Sequence, residues 1–123
     1  MASEITVNAS LVYEDTEDVA ASLANTDDII NVTTKKPVRN RQTITTSEVA
    51  INLGGIASLG WMMFKNLDAT NYIEIKTGTG GTVIGKMLAG ESYGPVRCGS
   101  GITAPFAQAN TASCDMEVLI CAT

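Results

Sequence analysis

The chain contains no histidine among its 123 residues. That removes the Ser-His-Asp triad, the Cys-His dyad and the commonest zinc sites in their usual forms. Aromatic residues make up only 5% against 45% apolar overall, so a core has to be filled mainly by Ile, Val, Leu, Met and Ala. Every apolar run is interrupted by Gly, Lys, Asn or Glu well short of the roughly 20 residues that span a bilayer. The opening MASEITV has neither the basic patch nor the apolar stretch of a secretory signal, and the expectation is a soluble protein that folds in a cytoplasm, with no membrane partner. Basic residues are also scarce, 8 against 13 acidic ones, for a net charge of -5. This argues against direct nucleic-acid binding, which draws on clustered Lys and Arg. The three cysteines, Cys98, Cys114 and Cys121, cannot all pair within one chain and show no CxxC-type metal spacing. They read as free thiols packed as small hydrophobes, with Cys114 and Cys121 on opposite sides of one strand.

No segment shows an apolar period of 3.6 with a cap at one end and a glycine stop at the other, so no helix of normal length is expected. What recurs is a period of two. Ile5, Val7, Ala9, Leu11 and Tyr13 alternate with Thr6, Asn8, Ser10 and Val12, and the acidic run Glu14 to Asp18 then breaks the strand. Val19, Ala21 and Leu23 alternate again, although their composition also allows a short helix, and Asn25 to Asp28 reads as a turn into Ile29 to Thr34. Gln42 to Thr46 and Glu48 to Leu53 form an extended stretch with a break near Ser47, stopped by Gly54 and Gly55. About eight short strands with glycine punctuation describe one all-β domain over residues 1–123, an antiparallel β-sandwich of jelly-roll or similar Greek-key type.

The block Leu59 to Ile75, LGWMMFKNLDATNYIEI, holds the only tryptophan. An apolar run, a polar turn at Asn66 to Asn71 and a second alternating run predict a hairpin, with Ile73 and Ile75 on one face and Tyr72, Glu74 and Lys76 on the other. Leu59 to Phe64 is apolar on both faces. One face serves the core; the other needs a cover, from the opposite sheet or from a neighbouring chain.

Three motifs invite a functional reading. Gly80 to Lys86, GGTVIGK, satisfies the G-x-x-x-x-G-K core of a phosphate loop, but Met87 stands where a Ser or Thr would hold magnesium, and the β-prone residues that follow do not start a helix. A glycine-rich hairpin connection is the better account. Glu14, Asp15, Glu17 and Asp18 lack the alternation and glycine of a calcium loop and read as a solvated turn. Lys35, Lys36, Arg39 and Arg41 gather four of the basic residues around Pro37. Such a segment either protects a sheet edge or docks an acidic protein partner. Solvated carboxylates such as Glu74 and Glu117 offer no paired acid-base arrangement, so neither an enzyme nor a cofactor is expected.

One pattern extends beyond these motifs. Gly60, Trp61, Lys65, Asn66, Asp68, Ala69, Thr70, Asn71 and Tyr72, then Leu88, Gly90 and Glu91, then Ala107, Ala109, Asn110, Thr111 and Ala112 form a series that resembles small tailed-bacteriophage virion proteins. The resemblance implies a structural protein of the virion, made in the bacterial host cytoplasm, with no reaction. The role it favours is a capsid decoration (cement) protein, a homo-oligomer and often a trimer, which bridges subunits of the major capsid protein. The same resemblance admits a tail or head-fibre attachment component. A carbohydrate-binding module is a more remote alternative, for which the few aromatics leave little to stack on sugar rings.

Overall fold

The computed structural model describes residues 3–14, 20–32, 37–99 and 101–122. These residues are all-β and form ten antiparallel strands: β1 (Ser3–Glu14), β2 (Ala20–Val32), β3 (Pro37–Ile44), β4 (Val49–Ala50), β5 (Leu59–Asn66), β6 (Ile73–Lys76), β7 (Val83–Met87), β8 (Ser92–Arg97), β9 (Phe106–Ala109) and β10 (Cys114–Ala122). The chain divides into two compact units, Met1–Thr33 and Thr34–Thr123.

The first unit is the antiparallel pair of β1 and β2, with Leu11 opposite Leu23 and Ile5 opposite Ile30. Asn25 to Asp28 lies within β2, so the turn expected there is corrected. Between the pairs Val7–Asp28 and Ala9–Asn25, one residue of β1 faces two of β2. The ladder on both sides overrides the local turn preference, and the extra residue is absorbed as a bulge.

The second unit is built from two four-stranded sheets, ordered β3-β10-β5-β8 and β4-β9-β6-β7. Its pairs are nested in sequence: β3 with β10, β4 with β9, β5 with β8 and β6 with β7. The inner faces share one core. β10 shows why, since Cys114, Met116, Val118, Ile120 and Ala122 are buried at every second position while Asp115, Glu117, Leu119 and Cys121 face outward. Met62 and Phe64 of β5, Ile73 and Ile75 of β6, Met87 of β7 and the small Ala107 and Ala109 of β9 join the cluster, with Ile44, Ile51, Ile56 and Leu59. Tyr93 of β8 stacks on Phe64, and a Cβ on Gly85 of β7 would collide with the Tyr93 ring. A flat ring against bare backbone lets β7 and β8 approach.

The expected hairpin over Leu59 to Ile75 is also corrected: β5 and β6 belong to different sheets. The reason is the buried side chain of Asn66. Its Nδ2 donates to the carbonyl of Asn71 at 2.8 Å and to those of Met87 and Leu88 at 3.2 Å each, while its Oδ1 accepts from the Asp68 amide at 2.9 Å. Asp68 Oδ2 then accepts from the amides of Asn71 and Thr70 at 2.7 and 3.0 Å, which holds its carboxyl below the usual carboxylate range. Thr111 Oγ1 donates to Asn71 Oδ1 at 2.6 Å, and Asn110 Oδ1 accepts from the Tyr72 amide at 3.1 Å. The Leu88 amide donates to Glu91 Oε1 at 2.7 Å. Thus NLDATN, the L-x-G-E turn and the A-N-T-A stretch meet in one hydrogen-bonded cluster that carries the chain from one sheet to the other.

Candidate interaction surface

Of the basic residues expected to act, Arg39 and Arg41 lie on β3, an edge strand of its sheet. Arg39 and Arg41, two apart, share the outer face. Arg41 Nη2 donates to Asp115 Oδ2 at 2.7 Å, and Thr43 Oγ1 donates to Asp115 Oδ1 at 2.9 Å. The hydrogen bond from Arg41, then that from Thr43, holds the Asp115 carboxyl below its ordinary range. Arg39 Nη2 stands 4.0 Å from Glu117 Oε2, with the two side chains 74% and 43% exposed. At that separation and exposure the pair is loose and leaves the guanidinium open to solvent. Lys35 and Lys36 lie outside the described residues, as does the acidic run from Asp15 to Asp18.

The sheet brings to this face residues that the sequence did not group with the basic segment. Leu119 of β10 is the register partner of both Arg39 and Met63, Glu117 pairs with Arg41 and Lys65, and Trp61 pairs with Cys121 and Arg97. Side chains at directly opposed positions share a face, so Trp61, Met63, Leu119 and Cys121 form an apolar strip bordered by Arg39, Arg41, Lys65 and Arg97. Met63 and Leu119 are 38% and 39% exposed. A shallow groove of about 180 Å3 runs between them, lined also by Arg39, Lys65 and Glu117. Lys65 and Arg97 make no ion pair among the described residues. The Trp61 Nε1 is shielded from solvent without a hydrogen-bond partner there. The signal for this surface was present in the two-faced apolar run of β5, but only the strand order places Leu119 beside it.

The other motifs have structural explanations. The phosphate-loop look-alike runs from the β6–β7 turn into β7, a strand with no helix after it. The Gly80 amide, which a phosphate would need, donates to Glu48 Oε2 at 2.7 Å, and Thr79 Oγ1 donates to the same oxygen at 3.1 Å. Lys76 Nζ bridges Glu48 Oε1 at 3.0 Å and Gln108 Oε1 at 2.6 Å. The carboxylate of Glu48 therefore fills the anion seat, and the Gly80 amide and Lys76 lower its pKa. No group of three or more His, Cys, Asp or Glu suited to a metal ion occurs among the described residues. All three cysteines are free, Cys114 buried and Cys98 and Cys121 half-buried, and burial pushes each thiol up. Cys114 and Cys121 occupy opposite faces of β10, as expected.

Comparison with family models, with curated proteins and with solved structures finds no match for this chain.

Proposed function

We propose that the protein is a structural component of a tailed-bacteriophage virion, a decoration protein that binds the major capsid lattice from outside and stabilises it. The observation that carries this reading is the nested strand pairing of the second unit, joined to an outer sheet face with an apolar strip and basic border. We read that pairing as a jelly roll, an architecture recurrent in viral capsid and lectin domains. The series of residues resembling phage virion proteins supports the reading further, since Asn66, Asp68, Thr70, Asn71, Tyr72, Leu88, Glu91, Asn110 and Thr111 of that series meet in the cluster around Asn66. Glu48, which accepts from the Gly80 amide and the Thr79 hydroxyl, favours a scaffold over a phosphate-binding reading of that turn. The decoration protein acts as a homo-oligomer, with a trimer favoured. Lys35, Lys36, Arg39 and Arg41 meet acidic residues of the shell or of a neighbouring copy, each exposed pair worth at most about 1 kcal/mol.

The test is rebinding. The purified chain is added to phage particles stripped of it, and occupancy is measured by sedimentation across a salt series. Saturable binding to heads is expected, weakened at low salt when all four basic residues are replaced by Gln. Binding to tails alone would move the protein to an attachment role, and binding to neither would overturn the proposal.

A further inference from the structure

The charge of this chain is unevenly divided. Residues 1–34 contain seven of the 13 acidic residues, Glu4, Glu14, Asp15, Glu17, Asp18, Asp27 and Asp28, and none of the 8 basic ones. Residues 35–123 hold the other six acidic residues and all 8 basic ones, so the two parts carry -7 and +2. The β1–β2 pair also exposes large apolar side chains. Leu11 and Leu23, register partners, are 77% and 79% exposed, and Val12 is 59% exposed. A two-stranded ribbon is marginal in water on its own, and an uncovered leucine pair is a contact site in search of a surface. The outer face of β3-β10-β5-β8 has the complementary character: Met63 and Leu119 flank a groove, Lys65 and Arg97 have no ion partner among the described residues, and Arg39 is held only at 4.0 Å.

We infer that the β1–β2 hairpin of one copy docks, through Leu11 and Leu23, onto the groove between Met63 and Leu119 of a second copy, with Arg39, Lys65 and Arg97 complementing the net negative charge of residues 1–34. The contact joins two different surfaces, so it runs head to tail and closes as a ring when the rotation between copies permits. This names the surfaces behind the self-association proposed above, and it rests on that reading only for the existence of an oligomer. Apolar contact supplies the attraction, while the charges fix orientation and raise the encounter rate.

The experiment uses three forms of the full chain in sedimentation velocity: wild type, a hairpin variant (Leu11→Ser with Leu23→Ser) and a face variant (Arg39→Glu, Lys65→Glu and Arg97→Glu). Circular dichroism verifies that each keeps its β spectrum. Wild type is expected to associate, and each variant alone to weaken association at least tenfold. Mixing the two variants leaves one intact hairpin and one intact face, so a 1:1 dimer is expected from the mixture and from neither component. A face variant that still associates would point to hairpin-on-hairpin contact, and a hairpin variant that still associates to face-on-face contact; either overturns the inference. A wild-type monomer at all concentrations, the result of docking within one chain, overturns it too. Wild type that associates but fails to rebind stripped heads would sink the virion reading and leave this contact standing.

Discussion

Asn66 is the most informative residue to perturb, because its fully buried side chain has a donor and an acceptor both in use. In Asn66→Ala the Asp68 amide and the carbonyls of Asn71, Met87 and Leu88 lose this partner. Orphaning a buried polar group costs about 1–3 kcal/mol. The Met87 carbonyl is the deepest of the four, and the others retain some access to water. A loss of about 2–4 kcal/mol is expected, a large part of the roughly 5–15 kcal/mol that holds a domain together. Asn66→Asp separates polarity from shape. It preserves the acceptor toward the Asp68 amide but turns a carboxylate toward three carbonyl oxygens. Burial and that repulsion raise its folded pKa, so the charge destabilises above that pKa and the penalty fades as pH falls through it. Urea unfolding followed by Trp61 fluorescence should place Asn66→Asp below Asn66→Ala at pH 7 and bring them together in acid. If both variants stay within about 0.5 kcal/mol of wild type, as surface substitutions do, the cluster does not organise the sheet crossing.

Two further outcomes follow from the packing and the charges. Gly85→Ala drives a methyl into the Tyr93 ring, which its stacking on Phe64 keeps from moving aside, and should cost about 1–3 kcal/mol in urea unfolding, with part recovered in the double variant with Tyr93→Ala; an unchanged midpoint would refute the close approach of β7 and β8. The Gly80 amide and Lys76 hold the folded Glu48 pKa below the ordinary carboxylate range, so its contribution is complete above that range and is lost as pH falls through the lowered value. Glu48→Gln should therefore lose less stability than wild type between pH 7 and pH 3, and equal losses would contradict the anion seat at Gly80.

The β character was legible because burial follows period two with few exceptions, as along β10, where Cys114 to Ala122 alternate inside and outside. Alternation does not say which strand pairs with which. Leu59 to Ile75 looks like a hairpin since two runs flank a polar turn, yet the turn backbone at Asp68 and Asn71 bonds to the buried Asn66 side chain and β6 joins the other sheet. The same limit hid the interaction surface. Arg39 and Arg41 stood out as a local cluster, but Leu119 is 80 positions from Arg39 and its placement depends on the pairing of β3 with β10. Lys65 and Arg97, without an ion pair among the described residues, likewise gain meaning only when β5 and β8 lie side by side.

The most direct test of the central claim, that this chain is an exterior structural component of a phage head, is a density map of the intact particle at a resolution that traces strands. The account predicts the sheets β3-β10-β5-β8 and β4-β9-β6-β7 in clusters of copies, threefold by preference, on the outer surface of the capsid and in contact with the major capsid protein. Density for the domain inside the head, or its absence from purified particles that package the gene for this chain, would contradict it.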